Sequence, residues 1–261
     1  MSFPTADRAD IALLLEGTFP YVSGGVSSWV NQIIRAFPEY RFAIVFLGSR
    51  REDYGAPKYP LPDNVVHFEA HYLYDDLVSR AEPASRPGDG EAYALIEQMH
   101  EHFAPDQPVA SALQEFRSVA RQMLPGGRLT ADDFLYSEAS WEMICDHYRR
   151  FCTDPSFVDY FWTVRIMHTP LWKLARVAKD LLPVRVLHSV STGYAGFLGA
   201  LLHQTRDVPL VLSEHGIYTK ERKIDLFKSE WIRDNRNVFQ RDPTELSYFR
   251  QMWIGFFEWL G

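Results

Sequence analysis

The sequence predicts an α/β fold: a doubly wound parallel sheet carrying an inserted helical subregion. Three observations predict it. Short, nearly continuous apolar runs end in glycine or serine, as strands buried on both faces do. Amphipathic segments of helical period alternate with them. After Asp75 the alternation stops at a breaker-rich stretch, several helical segments follow one another, and the alternation then resumes.

The first run, "DIALLLEG", shows no polar alternation and reads as a central strand. Val26, Trp29, Val30, Ile33, Ile34 and Phe37 then recur at helical spacing until Pro38 stops the helix. "YRFAIVFLGS" and "NVVHFEAHYL" read as two further strands. "AEPASRPGDG" leads into the helical segments "EAYALIEQMHEHF", "VASALQEFRSVARQML" and "SEASWEMICDHYRRF", which place an insert at about residues 75–169. "PLWKLARVAKDLL" is the next predicted helix, "VRVLHSV" a strand, "GYAGFLGALLHQT" a small-residue helix and "PLVLSEHG" a strand. Asp242 as cap, Pro243 at the first position and Glu245 completing a capping box announce a last helix. The order is that of a Rossmann-like domain.

With 261 residues, 46% of them hydrophobic and 15% aromatic, the chain can build a sizeable core. Its formal net charge of -7, without a lysine and arginine stripe, argues against nucleic acid or an anionic membrane surface as the main partner. Any anion has to be bound locally. The N-terminus lacks the pattern of a secretory leader, and "MWIGFFEWLG" is too short to cross a bilayer. The two cysteines, Cys145 and Cys152, fall on one predicted helix at a separation of about 10 Å, beyond disulfide reach. Reduced thiols and a cytoplasmic location are expected.

In such a sheet, ligands collect outside the carboxyl ends of the strands, where helix N-termini offer free N–H groups. Three loops fall there: "SGGVSS", "HSVSTGYAG" and "SEHGIYTKER". In the first, Gly24 and Gly25 let the backbone approach an anion, and Ser23, Ser27 and Ser28 add hydroxyls. The adjacent glycines match neither the dinucleotide fingerprint nor a P-loop, so on spacing alone an anion loop and a plain tight turn stand side by side. In the third, Glu214, His215 and Tyr218 are followed by Lys220, Glu221, Arg222 and Lys223. His215 at a strand end is placed to donate a hydrogen bond to a hydroxyl or phosphate, with the cations holding an anion or carboxylate. A structural histidine beside a solvated charge cluster is the other reading, and His188 admits the same two. No metal is expected: His67 with His71, or His100 with His102, lack a matching carboxylate or cysteine set, and no H-E-x-x-H occurs.

The stretches "EGTFPYVSGGVSSWV", "LHSVSTGYAGFLGALL" and "SEHGIYTKERKIDL" resemble the N-terminal half of Pel exopolysaccharide glycosyltransferases, retaining GT-B enzymes of family four. The resemblance implies an acceptor-side Rossmann-like domain over residues 1–261, facing a donor-binding second domain across a cleft. It implies transfer of a hexose or N-acetylhexosamine from a UDP-sugar to a growing polysaccharide acceptor, with no metal or other cofactor. On that footing Gly24 and Gly25 lie at the diphosphate, His215 is the catalytic group near the transferred sugar, and Ser23, Val26, His188, Glu214, Tyr218, Lys220 and Arg222 contact substrate. The family's E-x₇-E motif and second domain have no counterpart in these residues, so the chain alone is expected to be inactive. The alternative is an interaction module. Its Tyr- and Trp-rich insert would dock on an inner-membrane exopolysaccharide synthesis complex and make the protein peripheral to that membrane.

Overall fold

A computed structural model describes residues 3–75, 84–101, 109–124, 126–237 and 246–261, with the backbone alone for 109–113. The expected cap residues Asp242, Pro243 and Glu245, and the first three residues of "AEPASRPGDG", lie outside the described residues.

In chain order the elements are β1 (Ile11–Glu16), α1 (Gly25–Ala36), β2 (Phe42–Gly48), β3 (Val65–Tyr72), α2 (Gly90–Glu101), α3 (Val109–Met123), α4 (Ala131–Tyr136), α5 (Glu138–Phe151) and α6 (Phe157–Asp180). They continue with β4 (Val186–Ser189), α7 (Tyr194–Arg206), β5 (Leu210–Leu212), α8 (Tyr218–Lys228) and α9 (Tyr248–Leu260). The contacts group the chain into a sheet unit (1–76, 173–218 and 260–261) and a helical unit (77–172 and 219–259). The helical unit thus takes in α8 and α9 as well as the expected insert.

All five strands are parallel, in the order β3-β2-β1-β4-β5. This is the doubly wound sheet that the sequence predicts. Successive strands step outward one way from β1 and then the other, so the order reverses between β1 and β4, where such sheets open a crevice. Ala12 to Leu15 of β1 and all of β2 are buried, which explains their unbroken apolar runs. On one face Leu13 and Leu15 pack with Phe42, Ile44 and Phe46 against Val30 and Ile34 of α1. Each such side chain, fully buried, contributes roughly 1.5–3 kcal/mol. α7 covers Leu14 on the other face. A Cβ on Gly199 would come 2.8 Å from Leu210 and 3.3 Å from Leu14, so this helix reaches the strands because it has no side chain there. β5 is a short edge strand whose Val211 and Leu212 stay about half exposed.

Within the helical unit, besides α8, which forms where the sequence reads only as a polar, charged segment, the structure departs from the sequence reading in two helices. α4 was not expected, although Thr130 caps it and Asp133 reciprocates in a capping box. α6 is one helix of 24 residues with Pro170 inside, where the sequence suggests that a new helix begins. The buried residues Val164, Met167, Leu171, Leu174 and Ala178 continue at helical spacing past the proline. Locally, Thr169 Oγ1 donates to the Arg165 carbonyl, and His168 Nδ1 lies 2.8 Å from the Val164 carbonyl. Tyr160 at the start of α6 meets Tyr248 of α9, and Trp231 meets Trp253, which draws the C-terminal helices into this unit. Buried Asp154 accepts from the backbone and side chain of Asn235.

Cys145 and Cys152 are both free. Burial raises both thiols, Cys152 to about 12, and so keeps them neutral. Among the described residues no helix is long and apolar enough to cross a membrane.

Candidate functional site

The carboxyl ends of β1, β4 and β5 gather a group of polar side chains in the sheet unit. Glu16 is the last residue of β1. Its Oε1 accepts from the Tyr218 hydroxyl at 3.2 Å, and its Oε2 from Ser191 Oγ at 3.4 Å and the Ala195 amide at 3.3 Å. The Ala195 amide belongs to the first turn of α7, where a carboxylate is favoured by the free N–H groups and the helix dipole. Gly193, just ahead of that helix, is a close approach: a Cβ there would strike both the Tyr218 ring and the Glu16 carboxylate. Glu214 accepts from Thr192 Oγ1 at 2.8 Å and from the Tyr218 amide at 3.0 Å, so it fixes the start of α8.

Trp29 of α1 joins two histidines. Its ring meets His215 edge-on at 4.4 Å and His188 at 5.9 Å. His188 Nε2 lies 2.9 Å from Ser213 Oγ at the end of β5. Burial, with a smaller contribution from the neighbouring His215, holds His188 below the usual imidazole range. His188 is therefore neutral at pH 7, while His215 is exposed.

The glycine pair begins α1. Gly24 is its N-cap, with its carbonyl accepting from the Ser28 amide at 3.0 Å; no side chain caps the helix and its first turn holds no acid. The amides of Gly25, Val26 and Ser27 have no intrahelical partner. Gly24 is extended, with φ 167°, and Gly25 is not left-handed. No atom lies within 4 Å of a Cβ built on either. A side chain at Gly25 would therefore not strain the turn. The left-handed residue of this loop is Gly17, with φ +62°. Ser23 is exposed like the two glycines, Val26 packs partly into the core, and Ser28 Oγ lies 3.3 Å from the Tyr59 hydroxyl. Hydrogen bonding from Ser28 lowers the Tyr59 phenol.

Of the residues singled out from the sequence, Glu214, His215, His188 and Tyr218 meet at one edge of the sheet unit. Lys220 and Arg222 belong to the helical unit, where Arg222 lies 3.8 Å from Asp225 and 5.6 Å from the centre of the Phe257 ring. Sequence reasoning missed Glu16, Trp29, Thr192 and Ser213. Glu16 carries a signal, an acid closing an otherwise apolar strand; Trp29 is masked by its place in the apolar stripe of α1.

Among the described residues no group of three His, Cys, Asp or Glu side chains is arranged to hold a metal ion. His67 and His71 do share a carboxylate, Glu69, at 3.8 and 3.3 Å. However, His67 Nδ1 accepts the Ala6 amide, and its Nε2, 3.8 Å from the carboxylate, makes no hydrogen bond among the described residues.

No curated protein and no solved structure matches the chain. One family model does match, over residues 9–261, nearly the whole length. The chain accordingly belongs to the family described as a domain of unknown function, DUF3492.

Proposed function

We propose that this domain is the acceptor-side half of a retaining GT-B glycosyltransferase that builds a bacterial exopolysaccharide of the Pel type from a UDP-sugar. The observation that carries the reading is the start of α1: three amides without intrahelical partners, no capping side chain, and open space over Gly24 and Gly25 that the turn itself does not require. A diphosphate is the kind of group such a helix start attracts. Beside it His215 donates a hydrogen bond to the transferring sugar, while the Trp29 ring packs edge-on against it. No protein nucleophile takes part; the leaving diphosphate assists transfer from the same face, and the domain positions groups and stabilises developing charge. Most donor contacts fall to a second Rossmann-like domain.

The test pairs this domain with such a donor-binding domain and replaces Gly25 by Val. Because no atom crowds that position, the circular dichroism should stay native, while UDP-sugar turnover should fall at least about tenfold, the effect of some 1.4 kcal/mol. Undiminished turnover would remove the anion-loop reading.

One observation favours a second reading, a docking module. On α6, Val158, Trp162 and Ile166 repeat at four-residue spacing and stand exposed, with exposed Trp141 of α5 packed on Phe157 and Phe161. This suits attachment to a membrane-embedded synthesis complex. A pure docking module would show no UDP-sugar turnover with any donor domain.

A further inference from the structure

We propose that a cavity between the end of β3 and the last two turns of α6 binds an uncharged sugar residue. The cavity lies within the sheet unit and has a volume of about 260 Å³. At about 30 Å³ per water this is room for about nine waters, or for one pyranose ring with its substituents.

The lining chooses the ligand. Arg51, Lys173 and Arg176 bring three cations, and Glu69, Asp75 and Asp180 bring three carboxylates. A phosphate or carboxylate site needs an excess of donors and positive charge, and here every anion would meet as many acids as bases. A hydroxyl both donates and accepts, so a ring of hydroxyls is satisfied by such a mixture. Several of these groups are already held in place. Lys173 Nζ donates to the Tyr72 carbonyl at 2.8 Å, Asp75 accepts from the Arg51 amide at 2.9 Å, and the Arg51 guanidinium sits 5.0 Å over the Tyr72 ring. The side chains of Arg176 and Asp180, one turn apart on α6, are exposed and make no hydrogen bond or ion pair among the described residues. They offer a donor and an acceptor to a ligand. Buried Val177 and the small Ala70 give the cavity an apolar side for the C–H face of a sugar. If the polysaccharide reading holds, the sugar is a residue of the polymer, gripped away from its reacting end.

The experiment titrates this chain by calorimetry with maltotetraose, chitotetraose, inorganic phosphate and UDP, each separately. At least one oligosaccharide should bind with a Kd of about 1 mM or tighter, and phosphate should neither bind at the cavity nor displace it. Arg176→Ala and Asp180→Ala alter exposed side chains, so both should keep the native circular dichroism and weaken the oligosaccharide at least tenfold. Binding of neither oligosaccharide, equal binding by both variants, or competition by phosphate each overturns the proposal. UDP, titrated also into the two-domain protein, reports on the α1 loop instead: failure of that protein to bind UDP with oligosaccharide binding intact counts against the donor reading alone, and the reverse counts against the cavity alone.

Discussion

In the sheet unit two histidines, His188 and His215, stand at the strand ends beside Trp29, and one of them is exposed. In the helical unit three others, His100 of α2, His147 of α5 and His168 of α6, are enclosed, with His100 centred 5.2 Å from His147 and 5.3 Å from His168. The same residue type is thus used in two ways. At the open edge an imidazole can meet a ligand at little cost to the fold. In the helical core every proton taken up is a buried charge among other histidines. The difference teaches that a histidine's surroundings, not its presence, mark it as a candidate for chemistry.

The largest expected effect tests the buried cluster. Burial, with a smaller push from the neighbouring histidines, holds His100 well below the usual imidazole range and His168, despite its bond to the Val164 carbonyl, at about 4. Burial also lowers His147, against the opposing pull of Glu97 at 3.1 Å and of Glu101, while Arg150, paired with both acids, adds to the lowering. The native pKa values lie below the unfolded one, so between pH of about 6.5 and 4 the unfolded chain binds protons that the native unit refuses. Stability therefore rises with pH across that window and is lost as pH falls through it. His168 alone accounts for on the order of 3 kcal/mol. Trp141, Trp162, Trp172, Trp231, Trp253 and Trp259 lie in the helical unit and Trp29 alone in the sheet unit, so tryptophan fluorescence follows the helical unit. Urea unfolding read this way should show a falling midpoint from pH 7 to pH 5, and His168→Phe should flatten that dependence. A midpoint independent of pH would erase the contrast between the two regions.

The next effect belongs to the open edge. In the two-domain protein, His215→Ala should lower UDP-sugar turnover by roughly two to three orders of magnitude, the scale for losing one donor aimed at developing charge. UDP affinity, measured by calorimetry, should change far less. Near-native turnover, or stability and UDP binding lost together, would return His215 to the structural role that His168 plays.

How much of this could be read from the sequence depended on whether the signal was local. β1 and β2 announce themselves because both faces are covered and no polar residue interrupts them. The start of α1 is visible for the same reason, as glycines against a clear apolar stripe. The continuity of α6 is not local: Pro170 argues for a break, and only the buried residues on both sides of it overrule that signal. Nor is the role of Glu16, since its partners Ser191, Ala195 and Tyr218 lie 175, 179 and 202 residues away along the chain. The glycine pair was legible as a feature but not as a cause. The spacing left a tight turn and an anion loop open; the backbone angles separate the glycine that the turn requires, Gly17, from the pair that it does not.

The smallest effect concerns that separation, and it contrasts Gly17 with Gly24. Gly17, with φ +62°, turns the chain out of β1 while its amide donates to the Leu47 carbonyl at 2.9 Å. An alanine there must adopt the left-handed region, which costs roughly 1–2 kcal/mol, although its Cβ would meet nothing closer than the Tyr54 hydroxyl at 3.6 Å. Gly24 is already extended and open, so an alanine there should leave stability within about 0.5 kcal/mol, or raise it by restricting the unfolded chain. Urea unfolding followed by far-ultraviolet circular dichroism should therefore put Gly17→Ala about 1 kcal/mol below the parent and Gly24→Ala level with it. If the two substitutions cost the same, the glycine pair is part of the turn after all, and the open space above α1 no longer argues for a ligand.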